Sequence, residues 1–206
     1  TISDVTSITE GIVLQRSKDF VGLRDYALYD SGALAIPAWT SATFKFRSMC
    51  ASSIPLIPCI PNVSWKSNGP DEALRANTQV GHCWPTPGST GRLGIALSHG
   101  VIISHLTIDH LPGELAPDIS TAPRQFTLWG YHPIAPDDPE IEDGLVRLAQ
   151  GEYDIGSGSH IQTFPIFEAA KDLNLSFVAV LLEVQSNWGS LDHTCIYRVR
   201  IHGTPI

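Results

Sequence analysis

The sequence of 206 residues lacks long hydrophobic runs and is poor in basic residues. Its longest uninterrupted apolar stretch is Phe177–Leu182, whereas a membrane-spanning helix needs about 20 apolar residues. Lys and Arg number 13 against 21 Asp and Glu, so the basic face that nucleic-acid binding requires is not expected. With 43 % hydrophobic and 17 % charged residues, the chain is not intrinsically disordered. We therefore expect a soluble, globular domain that binds no nucleic acid.

Catalytic signatures are also missing. The sequence contains no G-x-S-x-G elbow, no H-E-x-x-H pair and no phosphate-binding glycine loop. A catalytic set of His105, Asp109 and His110 is the best that the sequence offers. Alternation along a strand would turn His110 away from the other two side chains. The sequence therefore predicts no enzyme and no metal centre.

Cysteine is scarce, with four residues and no C-x-x-C pair, which argues against a zinc ribbon. His82-Cys83 and His193-Thr194-Cys195 could form a zinc site if they met in space, but a Cys83–Cys195 disulfide is the favoured reading. Cys50 and Cys59 are close enough in sequence to form a second disulfide, or they are two free thiols. Glycosylation sequons begin at Asn62 and Asn174 and favour a lumenal or extracellular compartment.

Strand patterns dominate after residue 90. The predicted strands are rich in β-branched and aromatic residues and most are bounded by turn residues: Arg92–Leu97, Val101–Leu111, Gln125–Tyr131, Ile161–Phe167, Phe177–Val184 and Cys195–His202. Helix is predicted only over the first 24 residues and, weakly, over 137–150. In the last strand Arg198, Arg200 and His202 alternate with apolar residues, so we expect them to face solvent. This pattern indicates an antiparallel β-sandwich or jelly roll.

Residues 45–90 differ in composition because prolines recur among apolar residues. Proline cannot donate to a ladder of strand hydrogen bonds, so a central strand is excluded here by Pro55, Pro58, Pro61, Pro70, Pro85 and Pro87. The segment either packs over the sandwich or is a binding element.

Several segments occur in the order found in the SUN domain of nuclear-envelope proteins. They are Asp25–Leu28, Ser31–Ala33, Cys83-Trp84, Leu106–Pro112, Ser120–Pro123, Phe126–Gly130, Gln162–Phe164, Asn187–Gly189, Thr194–Arg198 and His202-Gly203. Each is short, but the ordered set over residues 25–203 is specific. The closing N-W-G, T-C-I-Y-R and H-G motifs resemble the SUN type that partners KASH proteins.

The resemblance implies a SUN domain over residues 25–206, with residues 1–24 as a helical extension of an upstream coiled coil. It implies a homotrimer that binds the C-terminal tail of a KASH-domain protein in the perinuclear space. The full-length protein would be anchored in the inner nuclear membrane, bridging it to the outer membrane and linking the nucleus to the cytoskeleton.

The resemblance also places the residues that would bind the terminal carboxylate of the tail. His110 matches the family's histidine, and Tyr197 matches a tyrosine. Thr121 stands where a serine is usual, and His193 replaces another tyrosine. A protonated histidine would add a charge-assisted hydrogen bond to the carboxylate, so binding should weaken as pH rises through the histidine pKa values.

A disulfide and a cation site are implied as well. Cys83 and Cys195 match the family's intradomain disulfide. The loop before Cys83 matches one that holds a monovalent cation, K⁺ or Na⁺, through carbonyl oxygens. In this loop Arg75, Asn77 and His82 are the polar candidates, and the departures at Arg75 and Asn77 leave a self-contained turn as the alternative.

Two further departures affect the partner contacts. Thr40 occupies the position of a cysteine that cross-links to the KASH tail in many family members, so we expect no intermolecular disulfide. The family's lid, a β-hairpin, falls near residues 44–64, where the prolines predict an irregular loop. A carbohydrate-binding jelly roll is the main alternative function, with Trp39, Trp65, Trp84, Trp129 and Trp188 as candidates for stacking on sugar rings.

Overall fold

The structure is a computed structural model that describes residues 21–46, 67–133, 141–142 and 144–206. The strands are β1 (Leu34–Ala35), β2 (Trp84–Pro87), β3 (Gly91–Asp109), β4 (Gln125–Tyr131), β5 (Ile141–Glu142), β6 (Leu145–Glu152), β7 (Ile161–Pro165), β8 (Phe177–Val184), β9 (His193–Ile196) and β10 (Arg198–Pro205). The α-helix α1 spans Glu168–Asp172. Short 3-10 helices cover Tyr29–Ser31, Pro37–Trp39, Pro70–Leu74 and Ile119–Thr121. The predicted all-β fold is confirmed.

All strand pairs are antiparallel. The main sheet runs in the order β1-β3-β8-β4-β6-β5, and β7 and β10 pair with β3 outside this path. A separate two-stranded sheet joins β2 to β9. The sequence predicts one strand over Cys195–His202, whereas the chain leaves β9 after Ile196 and enters β10 at Arg198, with Tyr197 between them.

Strand β3 pairs with different strands along its length. The change occurs at a shift in register between Ala96 and Val101, called here the corner of β3. The first part of β3 pairs with β8 up to Ala96, and its last part pairs with β10 and β7. The register with β8 shifts between Ala96 and Val101, in the interval between the predicted strands Arg92–Leu97 and Val101–Leu111. The two predicted strands are therefore one continuous bent strand of 19 residues.

Apolar side chains from the main sheet and from β2 and β9 form one core. Its largest fully buried members include Trp84, Phe126, Phe177, Leu93 and Leu106. Tyr153 is also fully buried and donates its hydroxyl to the backbone oxygen of His160 at 3.0 Å.

The prediction that Arg198, Arg200 and His202 face solvent is wrong, because their exposed fractions are 6 %, 2 % and 1 %. Arg198 pairs with the Asp25 carboxylate at 3.0 Å, and the Arg200 Nε donates to Asp109 at 2.9 Å. His202 contacts the Thr107 hydroxyl and the backbone oxygen of Arg24, each at 2.8 Å. The polar face of β10 is therefore covered by paired groups, since a buried charge requires a partner.

The predicted helix over 137–150 is wrong for the part that the structure describes, because Leu145–Glu152 is strand β6 and pairs with β4. Val146 and Leu148 are buried while Arg147 between them is exposed, which is the period of a strand. Of the predicted helical extension, residues 1–20 lie outside the described residues, and 21–24 contain no helix. Among the described residues, no helix is long and apolar enough to cross a membrane.

Candidate functional site

A cavity of about 310 Å³ lies where the β2–β9 pair meets the end of β3 and the start of β10. All four residues predicted to bind a carboxylate line it: His110, Thr121, His193 and Tyr197. The disulfide between Cys83 and Cys195 also forms part of its wall. Strand pairing thus brings together His110 and Tyr197, which are 87 positions apart in the chain.

His110 and Tyr197 are direct neighbours in this site. His110 follows the last residue of β3, and Tyr197 precedes the first residue of β10; the pairing of Asp109 with Arg198 places the two side by side. Their ring centroids are 4.7 Å apart with the planes at 71°. Both residues are buried.

The protons of His110 are set by its surroundings. Its Nδ1 lies 3.3 Å from the backbone oxygen of Leu111, an acceptor, so Nδ1 carries the proton in the neutral ring. Its Nε2 is buried and has no hydrogen-bond partner among the described residues. Burial lowers the pKa of His110 to about 4, the Leu111 carbonyl partly opposes this, and His160 lowers it further. His110 is therefore neutral at pH 7 in the free domain.

Tyr197 retains its proton. Burial raises the pKa of the Tyr197 hydroxyl, and a hydrogen bond with the Gly81 backbone lowers it in part. A protonated phenol is the form that can donate to an anion.

Thr121 ends the 3-10 helix Ile119–Thr121, and its hydroxyl donates to the backbone oxygen of Asp118 at 2.8 Å. Asp118 caps this helix, because its carboxylate accepts from the backbone N–H of Ser120 at 3.0 Å and from the Ser120 hydroxyl at 2.6 Å. Asp118 also lines the cavity. The sequence analysis missed this negative charge, which opposes an anionic ligand.

His193 belongs to an aromatic cluster that the sequence analysis also missed. The Phe44 ring stacks on the His193 ring at 5.0 Å and 15°, and the Phe46 ring meets it edge-on at 5.2 Å. The Phe44 backbone N–H donates to the Pro85 oxygen at 2.8 Å, which fixes this segment against β2. Burial lowers the pKa of His193, although Asp192 and Asp118 partly oppose this. In the sequence, the alternation of Phe44 and Phe46 is the signal that could have indicated this aromatic cluster.

The disulfide between Cys83 and Cys195 ties the loop before β2 to β9, with the Cα atoms 5.6 Å apart. The zinc alternative at these two cysteines does not hold, since both sulfurs are used in this bond. A link across 112 residues restricts the unfolded chain by about 4–5 kcal/mol on the chain-entropy model. The predicted Cys50–Cys59 pair and most of the predicted lid lie outside the described residues.

The polar residues of the loop before Cys83 have partners within the protein. His82 Nδ1 lies 2.8 Å from a Glu72 carboxylate oxygen. The Arg75 guanidinium lies 4.0 Å from the centre of the Tyr29 ring. The Asn77 side-chain oxygen accepts from the backbone N–H of Gln79 at 3.0 Å. None of these three side chains points to a ligand-binding role.

Asn68 is the residue that closes this loop. Its side-chain nitrogen donates to the backbone oxygens of Gly81 at 2.8 Å and of Cys83 at 3.1 Å. Two carbonyl groups of the candidate cation loop therefore already accept hydrogen bonds from one amide.

The alternative functions receive little support from these positions. Trp84 is fully buried and Trp188 packs against the core, so neither presents a ring to a sugar. Asp109 pairs with Arg200. The described residues contain no cluster of His, Cys, Asp and Glu that could hold a metal ion.

Comparisons with known proteins agree on one family. A family model described as Sad1 / UNC-like C-terminal matches residues 63–205. The chain is 34 % identical over 197 residues to mouse SUN domain-containing protein 2, covering 93 % of this chain and 25 % of that protein. It is 30 % identical over 211 residues to human SUN domain-containing protein 3, covering 98 % of this chain and 53 % of that protein. The chain thus spans between a quarter and about half of these relatives.

Among solved structures, the fold is similar to a family 32 carbohydrate-binding module from Streptococcus pneumoniae EndoD. The TM-score is 0.55 at 14 % identity, covering 87 % of this chain and 99 % of that chain. Allantoicase from Saccharomyces cerevisiae gives a TM-score of 0.52 at 16 % identity, covering 88 % of this chain and 43 % of that chain. At such identities the likeness concerns the β-sandwich fold alone.

Proposed function

Because this chain belongs to the Sad1/UNC-like C-terminal family, the family of the SUN domain-containing proteins, we propose that its cavity binds the C-terminal carboxylate of a KASH-domain protein. The domain would act in the perinuclear space as the partner-binding end of an inner-nuclear-membrane protein. An upstream coiled coil would hold three copies together. The bridge to the outer membrane would then link the nucleus to the cytoskeleton.

The observation that carries this proposal is the buried Nε2 of His110. This nitrogen has no hydrogen-bond partner among the described residues, although its ring lines the cavity. An unpaired buried polar atom costs about 1–3 kcal/mol. A ligand that hydrogen-bonds to this nitrogen would recover that cost. The adjacent Tyr197 hydroxyl supplies a second donor in the same wall.

The carboxylate requires a proton on Nε2, because a carboxylate only accepts hydrogen bonds. The neutral ring can move its proton from Nδ1 to Nε2 and give up the long contact with Leu111. The ring can instead take up a second proton, since a nearby anion raises a histidine pKa. Either change makes the Nε2 of His110 a donor in the complex. Proton uptake would add a charge-assisted bond.

The remaining wall of the cavity suits an extended peptide. Phe46, Val80, Pro85 and Ala116 provide apolar surface beside the polar end of the site. A peptide tail can bury side chains against such surface while its terminus bonds to fixed donors. With Thr40 in place of the family's cysteine, the complex would form without an intermolecular disulfide.

We also propose that Asn68 organises the loop before Cys83, in the place that K⁺ or Na⁺ takes by resemblance. The amide joins the Gly81 and Cys83 carbonyls, and the Gly81 backbone contacts Tyr197. The loop would thereby hold the tyrosine of the carboxylate site in position.

The experiment is a calorimetric titration of the domain with a synthetic KASH tail peptide, run beside a peptide of the same composition in scrambled order. Light scattering after size-exclusion chromatography would report the number of chains with and without peptide. The proposal expects saturable binding of the tail alone. Equal binding of both peptides, or of neither, would refute it.

A further inference from the structure

The second sequon of the chain, Asn174-Leu175-Ser176, lies at a position that the partner-binding site does not use. Asn174 is exposed, and it follows α1 in the short connection to β8. Its side chain makes no hydrogen bond in the part of the chain that the structure describes. Acceptor sites for N-linked glycans are surface positions of this kind.

The neighbouring residues direct the Asn174 side chain outwards. Leu173 and Leu175, on either side, pack against the hydrophobic core. Asn174 has a φ angle of 47°, the left-handed conformation that often ends a helix. The backbone is therefore held by its flanking residues, and the amide points to solvent.

Strand pairing places Asn174 far from the candidate peptide site. Asp109, the last residue of β3, precedes the cavity residue His110, and Gly91, the first residue of β3, lies against Thr86, which follows the cavity residue Pro85. The corner of β3 near Val101 lies eight residues before Asp109, roughly 26 Å along the strand at about 3.3 Å per residue. Phe177, three residues after Asn174, pairs with Val101 at that corner.

From these observations we infer that Asn174 carries an N-linked glycan, away from the peptide site. The inference rests on the proposed function, because only a domain on the lumenal side of the membrane meets the glycosylation machinery. A glycan there leaves the peptide cavity open. The same glycan would prevent close protein contact at the α1–β8 connection.

A competing explanation is that asparagine is present only for its tolerance of positive φ. The variants separate the two explanations. Asn174→Asp keeps a residue that tolerates this conformation and removes the acceptor. Ser176→Ala keeps Asn174 and removes the sequon, whereas Ser176→Thr keeps the sequon.

The test expresses the full chain behind a cleavable secretion signal in cultured eukaryotic cells, with a reporter sequon in a C-terminal tag and with Asn62→Asp to remove the other natural sequon. Glycosidase-sensitive mobility on gels and mass spectrometry of the Asn174 peptide are the readouts. The inference expects two glycans in this background and in Ser176→Thr, and one in Asn174→Asp and in Ser176→Ala. An unmodified Asn174 beside a glycosylated reporter would overturn it.

Peptide titration of the same preparations separates this inference from the proposed function. We expect the glycosylated chain and Asn174→Asp to bind a KASH tail peptide within twofold of each other. A glycosylated Asn174 with a large loss of peptide affinity would contradict the placement of the glycan. Failure of both forms to bind would count against the proposed function alone.

Discussion

His110 and Tyr197 meet edge to face, with their ring centroids 4.7 Å apart, although 86 residues separate them in the sequence. The contact exists because β3 and β10 pair in register up to Asp109 and Arg198, the residues next to this pair. The Asp109–Arg200 and Asp25–Arg198 ion pairs fasten both strands behind the site. The donors of the site are therefore held by buried, paired strands rather than by a loop.

Replacing either member of this pair should weaken tail binding. We expect His110→Ala and Tyr197→Phe each to reduce affinity roughly 10- to 100-fold, since a hydrogen bond to a charged group contributes about 1.5–3 kcal/mol. Calorimetric titration at constant pH and salt measures the effect. His99→Ala, at the exposed corner of β3, is the matched control and should bind as the unmodified chain does. Unchanged affinity in both pocket variants would mean that the carboxylate lies elsewhere.

Removing the charge of Asp118 should strengthen binding of an anionic terminus. Asp118→Asn keeps a good helix N-cap and removes a negative charge that lines the cavity. Because Asp118 is exposed, its effect is screened by solvent, and we expect a gain of about two- to fivefold at low salt. Asp172→Asn, in α1, is the control that should leave affinity unchanged. A gain that persists undiminished in 1 M salt would argue against a charge effect.

Burial of three neutral histidines should make the free domain sensitive to acid. Burial lowers the pKa of His110 to about 4 and lowers those of His193 and His202. In the unfolded chain these histidines take up protons near the usual histidine pKa of about 6.5. The stability of the domain is therefore complete above that pH and falls as pH drops towards 4. The His110 shift alone corresponds to roughly 3 kcal/mol.

Urea unfolding between pH 4 and 8 checks this prediction. The unfolding free energy should fall with decreasing pH in the unmodified chain, and His110→Gln should flatten part of the slope. The pH dependence of tail binding follows the same groups with the opposite sign: affinity should rise as pH falls below neutral. The change in tail affinity should therefore occur at a lower pH than the ordinary histidine range that the sequence suggested. Identical slopes for the unmodified chain and His110→Gln would remove His110 from this account.

Loss of the Asn68 amide should loosen the loop beside Tyr197. We expect Asn68→Ala to destabilise the domain by about 1–3 kcal/mol, because two carbonyls lose a donor. The unmodified chain should melt at the same temperature in KCl and in tetramethylammonium chloride, whereas Asn68→Ala should be more stable in KCl, where K⁺ can take the place of the lost amide. A marked dependence of the unmodified chain on K⁺ would show that a cation, rather than Asn68, holds the loop.

All six predicted strand segments overlap strands, because local apolar patterns mark them directly, whereas the roles assigned to the site residues stay predictions. Gln125–Tyr131 and Phe177–Val184 have the predicted bounds, since alternating and continuous apolar patterns mark strands directly. The cavity brings together His110, Thr121, His193 and Tyr197, as the resemblance implied.

The wrong predictions concern residues whose burial or secondary structure depends on a partner distant in sequence. Arg198 and Arg200 have the polarity of a solvent-facing strand, and only Asp25 and Asp109 reveal why they are buried. The helix expected near residue 145 is a strand because β4 supplies its hydrogen bonds. Asp118 reaches the site as a helix cap. Phe44 reaches it through a bond to β2, which the alternation of Phe44 and Phe46 did not by itself reveal.

The central claim is that the site recognises the anion at the end of a peptide. The direct measurement compares one KASH tail peptide with a free C-terminal carboxylate and the same peptide with a C-terminal amide, titrated into the unmodified domain at pH 7. We expect the amide to bind at least 10-fold more weakly, and we expect His110→Ala to abolish most of that difference. Equal affinity for the two peptides would contradict the account.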